Sequence, residues 1–381
     1  MIPILLDYET LRVLWWLLLG VLLIGFAIMD GFDLGTGVLL PFVGRTDAER
    51  RVVLNTIGPV WEGNQVWLIT GAGAIFAAWP PLYAVSFSGF YLAMLCVLLA
   101  LILRPVGIKF RSKVEDPRWR SWWDWAIFIA GAVPSLIFGV AVGNALEGVP
   151  FSFDSDMRST YTGSLIELLN PYALLCGLVG LAMIVTQGGT WLAAKTDGVV
   201  AMRARRFATI AAATTIVLFA AAGLATAAID GYRFSSAIVT DGPSNPLAKE
   251  VVRQAGAWLS NYGERPWTVL APLLGFAGSA AALLLLRLNR PGLAFAGSSV
   301  ATLGIVSTAG VSMFPFILPS STTPNHSLTV WDASSSHATL WIMLIAALIL
   351  VPIVLTYTAW VYRVLWGKVT DADVRGNDAS Y

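Results

Sequence analysis

The sequence predicts an all-α polytopic membrane protein, and two features carry that prediction. Of the 381 residues, 57% are hydrophobic and only 12% are charged, against about a quarter charged in ordinary soluble domains. The apolar residues also fall in repeated runs of about 20, the length that crosses a bilayer core as helix. No soluble domain can be cut from such a chain, so one integral membrane domain over 1–381 is expected. A net charge of +1 gives no reason to expect a nucleic-acid partner.

Taken in order, the runs predict nine transmembrane helices, near 11–30, 62–80, 82–104, 123–144, 168–190, 206–229, 266–287, 291–314 and 337–362. The first follows MIPILLDYETLR, which has acidic residues and no basic opening segment, and its apolar run is too long for a signal peptide. The second opens at GPVWEGNQVWLIT and meets the third at Trp79-Pro80-Pro81, which reads as a tight helical hairpin. The fourth starts at SWWDWA, whose Trp122, Trp123 and Trp125 suit a membrane interface. The fifth follows LLNPY, and the sixth runs from the basic RARRF to IDGY. The seventh and eighth are separated only by RLNRPG, and the ninth begins at His337. Between them lie three long polar connections, 145–167, 230–265 and 315–336, all on one side. Cys96 and Cys176 fall inside apolar runs and read as packing residues.

Loop charge orients this set. Eighteen of the 24 Lys and Arg residues fall in one set of alternate loops and beyond the last helix. The other six, Arg12, Arg158, Arg233, Lys249, Arg253 and Arg265, fall on the opposite side. By the positive-inside rule the N-terminus is outside and the C-terminus cytoplasmic. An eight-span count would break the alternation.

Ionisable residues at the membrane are the candidates for function. Glu62 lies early in the second helix, on a face that continues through Val66, Ile69, Gly73 and Phe76 or Ala77. Small residues on that face allow close helix approach, so Glu62 is expected to face protein. It reads either as a carboxylate favoured by a helix N-terminus, with Trp61 as interfacial belt, or as a proton carrier at the entrance of a buried path. Gln65 pairs with Trp61 at i, i+4, and Trp67 lies close by. Asp30 and Asp33, in MDGFDLG, are expected to cap the end of the first helix, with Gly31 and Gly35 breaking it. They share a membrane surface with Glu62, so a common acidic entrance is a second reading. Asp124 reads as structural. The basic stretch from Arg104 to Arg120 reads as a topology determinant that attracts anionic lipid.

The chain has two histidines, His326 and His337, both near the outer surface and suited to capping or lining the last loop. Haem iron takes His, Met, Cys or Tyr as axial ligands, and no histidine falls in the first eight runs. No CxxC, HExxH or phosphate-binding glycine loop is present. No metal site is expected.

Several long motifs carry a resemblance. DYETLRVLWWLLLGVLLIGFAIMDGFDLG, RTDAERRVVLNTIGPVWEGNQVWLIT, FAAWPPLYAVSFSGFY, RPVGIKFRSK, WDWAIFIAGAVPSLIFGVAVGN, SNPLAKEVVRQAGAW, AGVSMFPFILPSST and SLTVWDASSS closely resemble subunit II of the cytochrome bd-type quinol oxidases. The similarity runs in order from Asp7 to Tyr381. It implies a fold of nine helices in two four-helix bundles plus one peripheral helix. It implies a partner, subunit I, that carries two haem b sites, haem d and the quinol-oxidising loop, and often a small single-span accessory subunit. Subunit II of this family lacks haem ligands, stabilises the haem centre across the interface and in some members holds a structural quinone. The complex oxidises quinol, reduces dioxygen to water and draws protons from the cytoplasm, building proton-motive force without pumping. It resides with membrane lipid in the bacterial cytoplasmic (inner) membrane. The resemblance implicates the acidic position of W-[DE]-G-N-Q, here Glu62, in proton delivery, with Asp30 and Asp33 beside it. Trp61, Gln65 and Trp67 are implied as interface or route-lining residues. This chain carries Glu where other members carry Asp, one methylene longer.

Three functions compete on these grounds: the oxidase subunit, a proton-coupled secondary transporter and a membrane scaffold. Transporters often pair broken helices in repeated halves. Pro134 and Pro352 interrupt apolar runs here without forming such a pair.

Overall fold

The computed structural model describes residues 4–375; the ends of the expected 1–381 domain, Tyr381 included, lie outside the described residues. The helices in chain order are α1 (Tyr8–Val43), α2 (Asp47–Asn55), α3 (Trp61–Ala78), α4 (Pro80–Gly89), α5 (Tyr91–Phe110), α6 (Pro117–Glu147), α7 (Pro171–Lys195), α8 (Gly198–Thr226), α9 (Ser260–Glu264), α10 (Leu270–Arg287), α11 (Pro291–Met313), α12 (His337–Val364) and α13 (Asp371–Arg375). Three antiparallel hairpins, β1 (Phe151–Phe153) with β2 (Ser159–Tyr161), β3 (Asp230–Phe234) with β4 (Val251–Ala255), and β5 (Phe316–Leu318) with β6 (Leu328–Thr329), occupy the long polar connections.

Among the described residues, eight helices are long and apolar enough to cross a membrane: α1, α5, α6, α7, α8, α10, α11 and α12. The protein is therefore all-α in its membrane part and multi-pass. The expected span 62–80 is α3, which has 18 residues but spends its first turn on Glu62, Asn64 and Gln65, and so is less apolar than the eight. The expected span 82–104 divides in two. The Trp79-Pro80 junction ends α3 and starts α4, and the chain bends again at Phe90 before α5 begins. A proline at a first helical position costs no hydrogen bond, so α4 starts at Pro80, and the tight hairpin expected there is instead this short helix between α3 and α5.

The largest departure from expectation is α1. MDGFDLG does not end it; the helix runs thirteen residues past Asp30, to Val43, a total of 36 residues or about 54 Å. Its glycines serve packing. A Cβ on Gly35 would lie 2.1 Å from the Ile184 carbonyl oxygen, and one on Gly188 would lie 2.3 Å from the Gly35 carbonyl carbon, so α1 and α7 touch backbone to backbone. A Cβ on Gly131 would lie 2.3 Å from the Leu34 carbonyl oxygen, which sets α6 equally close. Small residues permit this approach where lipid offers no hydrophobic drive between helices.

Through these seams α1 packs on α3, α6, α7 and α11, while α5 lies on α6. Helices α7, α8, α10 and α11 pack on one another in a second group. Helix α12 touches α1 and α3 only lightly. Along its length only Leu340 and Leu344 are buried, and Leu348, Ile349, Val354 and Trp360 are exposed.

Candidate functional site

The long α1 carries Asp30 and Asp33 into the interior, both with no exposed surface. One charge partner comes from α5, where Arg104 Nη1 donates to Asp30 Oδ1 at 2.7 Å. From the first turn of α3, Asn64 Nδ2 donates to Asp33 Oδ2 at 2.8 Å. From the far end of α12, Tyr362 OH donates to Asn64 Oδ1 at 2.8 Å. The Arg104 guanidinium lies 5.4 Å from the centre of the Trp61 ring, within cation–π range. Phe32 stacks on Trp191 at 4.1 Å between centroids, and Tyr362 sits edge-on to Phe32 at 6.5 Å, so an aromatic wall borders the polar group. Two carboxylates thus face one guanidinium in the protein interior. Asp30 Oδ2, Asp33 Oδ1, Arg104 Nε and Nη2 and Trp61 Nε1 have no protein hydrogen-bond partner among the described residues. Atoms of this kind are where buried water hydrogen-bonds.

Asp30 and Asp33 are therefore brought together, as interior residues of α1 rather than caps. Glu62 lies apart from them. Its side chain is 64% exposed and accepts from Lys109 Nζ at 3.0 Å. The stripe expected to face protein, Glu62, Val66, Ile69 and Phe76, is exposed in this chain, and a Cβ on Gly73 would meet nothing within 4 Å. The reason is that α3 meets α1 through its other side. Trp67 lies over Gly25, where a Cβ would come within 2.4 Å of its ring, and Asn64 reaches Asp33. Trp61 is buried, while Gln65 and Trp67 are half-buried.

Asn64, Arg104 and Tyr362 were not singled out from the sequence. Asn64 was available in the same WEGNQ motif as Glu62. Arg104 closes the apolar run LLALILRPVG and reads as a boundary charge, yet it is 1% exposed inside α5. Nothing in the sequence around Tyr362 marks it.

Other arginines of the basic stretch are also answered by carboxylates. Arg111 bonds Asp124 through Nε at 2.5 Å and Nη2 at 3.2 Å, and Asp47 through Nη1 at 2.9 Å. Arg50 reaches the same Asp124 at 2.6 Å, and Arg120 reaches Asp47 at 2.8 Å. Asp124 is thus a buried junction of α2, α6 and the turn that follows α5, which agrees with its structural reading. The stretch expected to face anionic lipid pairs four of its six charges, those of Arg104, Lys109, Arg111 and Arg120, with carboxylates of the chain, and buries those of Arg104 and Arg111.

The donor set does not suit a haem ligated by a pair of histidines from this chain. His326 Nδ1 accepts from the Phe153 N–H at 3.0 Å in the last polar connection, and His337 Nε2, at the start of α12, lies 2.7 Å from the Leu6 carbonyl oxygen. No group of three or more His, Cys, Asp and Glu among the described residues is placed to hold a metal ion.

Known proteins agree with this layout. The chain matches the family described as cytochrome bd terminal oxidase subunit II over residues 11–365. It is 52% identical, over 98% of its length and 99% of the relative, to a protein of Escherichia coli strain K12 named cytochrome bd-I ubiquinol oxidase subunit 2. It is 50% identical, over 95% of its length and 96% of the relative, to a probable cytochrome oxidase subunit 2 of Haemophilus influenzae. In fold it resembles a chain of the bd oxidase structure from Geobacillus thermodenitrificans, with a TM-score of 0.69 at 16% identity, over 94% of this chain and 99% of that one. A family match over nearly the whole chain, with relatives at half identity and the same helical architecture, makes this chain a member of the cytochrome bd terminal oxidase subunit II family.

Proposed function

We propose that this chain is subunit II of a respiratory quinol:oxygen oxidoreductase of the bacterial inner membrane. In this reading subunit I is the partner, it ligates two haem b and the haem d, and the complex passes electrons from quinol to dioxygen, releasing water. The names of the relatives support an oxidase subunit, and neither they nor the family favour a proton-coupled transporter. We assign the chain nine spans, α3 included, in two four-helix bundles with α12 peripheral, the N-terminus outside and the C-terminus cytoplasmic. The eighteen-to-six division of basic residues supports this orientation. The exposed length of α12 and the exposed stripe of α3 are the faces open to subunit I. A small accessory subunit and a structural quinone belong to the same reading, with no residue of this chain assigned to the quinone.

Within that complex the chain's own chemistry is proton handling at the cytoplasmic side. The observation that carries this is the buried group of Asp30, Asp33, Arg104, Asn64 and Tyr362, which Asn64 joins from the same turn of α3 as Glu62. One turn of α3 presents an exposed carboxylate, Glu62, and a buried amide, Asn64, that bonds Asp33. Two carboxylates beside one guanidinium leave one negative charge unanswered, and an unanswered buried charge is costly. A single proton shared by Asp30 and Asp33 removes it, so the group can take up and release one proton without upsetting its hydrogen bonds. Intramembrane acids commonly serve such movement. Trp61, Gln65 and Trp67 border the way in.

The test is a dithionite-reduced minus oxidised spectrum of the complex purified through a tag on this chain, with oxygen uptake on quinol, for wild type and Glu62→Gln. A haem d band in wild type is expected, with the band kept and uptake lowered in the variant. Loss of the band in the variant makes Glu62 structural. Absence of haem d from the folded wild-type complex overturns the oxidase assignment.

A further inference from the structure

We propose that a pocket between α8 and α10 binds the phosphate of an anionic membrane phospholipid. The pocket, about 270 Å³, is lined by Met202, Arg205, Arg206, Thr209, Leu286 and Arg287. Helices α8 and α10 pack on each other, and Arg205 Nη1 ties α8 to the turn after α10 by donating to Asn289 Oδ1 at 2.6 Å. Three arginines therefore line one small space.

Among the described residues, none of the three has a carboxylate partner, unlike five other cations at this end. Arg50, Lys109, Arg111, Arg120 and Arg203 each meet a carboxylate, whereas Arg205, Arg206 and Arg287 form no ion pair among the described residues. Like charges held together repel, and an anion seated among them relieves that repulsion. The planar fork of arginine suits a phosphate, which it can grip through two parallel N–H bonds. Thr209 does not compete for the ligand as a donor, because its hydroxyl donates to the Arg205 carbonyl oxygen at 2.8 Å.

The surroundings select a lipid over a free phosphate. One turn from Arg206 along α8 lies Ile210, and two further turns on lies Val217; Leu284 lies one turn from Arg287 on α10. All three are exposed. They extend an apolar track from the pocket along both membrane-crossing helices, where acyl chains run. Met202 and Leu286 line the pocket itself. Headgroup charge then selects among lipids. Phosphatidylglycerol brings a phosphate and no cation, while phosphatidylethanolamine brings an ammonium into a place that already holds three positive charges.

The test uses the complex purified from the membrane in mild detergent, delipidated, and titrated with phosphatidylglycerol, phosphatidylethanolamine or inorganic phosphate under native mass spectrometry. Wild type is expected to hold one more phosphatidylglycerol than R206Q/R287Q, with retention weakened at least about tenfold in the variant. R206K/R287K, which keeps the charge and loses the fork, is expected between the two. If the double variant does not assemble, R206Q and R287Q are read singly against wild type. Equal phosphatidylglycerol retention with and without the arginines overturns the proposal. So does equal retention of phosphatidylethanolamine. Displacement of the lipid by millimolar inorganic phosphate overturns it as well, because it would identify a site for soluble anions.

Discussion

Arg104 of α5 donates to Asp30 of α1 at 2.7 Å, with side-chain exposures of 2% and 0%. The two residues are 74 positions apart in the chain, and each is explicable only through the other. A guanidinium at the end of an apolar helix would move toward the membrane surface if it could. Asp30 draws it inward, and the aspartate is tolerable inside α1 because the cation arrives. The pair also leaves Asp33 as the carboxylate without a cation of its own, which defines the proton-handling reading of the site.

Removing one partner of a buried pair leaves an unanswered charge and typically costs about 3–5 kcal/mol. Arg104→Met is therefore expected to lower the yield and melting temperature of the complex sharply. Asp30→Asn combined with Arg104→Met removes both charges and is expected to recover much of the loss. A double variant as unstable as Arg104→Met alone would show that the arginine matters for something other than Asp30.

Asp33→Asn keeps shape and removes the surplus negative charge. The Asn64 amide loses its charged acceptor but retains a carbonyl oxygen to bond. The complex is expected to assemble with an unchanged difference spectrum and reduced oxygen uptake. Undiminished uptake would take Asp33 off the proton path.

Gly35 tests the seam that carries α1 past Asp33. A Cβ there would sit 2.1 Å from the Ile184 carbonyl oxygen and 3.0 Å from Gly188 Cα. Backbone cannot rotate aside as a side chain can, so Gly35→Ala is expected to cost at least the upper end of the roughly 1–3 kcal/mol seen for overpacking. Gly20 is the control on the same helix, since a Cβ there meets nothing within 4 Å. Gly20→Ala is expected to be neutral or slightly stabilising. Equal melting temperatures for the two variants would count against the close α1–α7 contact.

These residues also mark what can be read from sequence. Apolar runs of membrane length identify most of the spans because each is a local property. The end of α1 is not local. Gly31 and Gly35 look like a helix stop, and only the arrival of α7, well over a hundred residues later, shows them to be contact points. Arg104 reads as a loop charge because its counter-ion is far off in the chain. Glu62 was legible as a functional candidate by its charge beside an apolar run, but which way it faces depends on the side of α3 that α1 occupies. Tyr362 enters the site only because the last long helix returns to the first.

Arg12 is expected to hold the outer connection in place. It has no exposed surface, and it bonds only neutral acceptors: Ser334 Oγ at 2.8 Å, the Thr240 carbonyl at 2.5 Å, and the Gly242 carbonyl and Ser244 Oγ at 3.0 Å each. Its guanidinium also lies 3.6 Å from the centre of the Tyr8 ring. Hydrogen bonds to a charged group contribute about 1.5–3 kcal/mol each when made well, so the segment around Thr240 owes much of its order to this one side chain. Arg12→Met is expected to expose the 235–245 region to limited proteolysis while the membrane helices stay protected. An unchanged cleavage pattern would refute the role.

The outer hairpin offers a dependence on pH with a definite sign. His326 Nδ1 accepts from the Phe153 N–H at 3.0 Å, which requires that nitrogen to be unprotonated, with the proton on Nε2. Partial burial, and then the positive charge of Lys249, hold the imidazole below its usual value near 6.5. A value depressed by folding means that the stabilisation is present above the unfolded value and is lost as pH falls through the folded one. The Phe153 amide is therefore expected to lose hydrogen-exchange protection, beyond the intrinsic change in rate, as pH falls below the ordinary histidine value near 6.5. His326→Leu should remove that dependence and leave the amide poorly protected throughout. Lys249→Met takes away the charge that opposes protonation, so the loss should begin at higher pH. Protection of Phe153 that stays flat across the range, or a Lys249→Met profile displaced toward acid, would exclude His326 as the titrating acceptor.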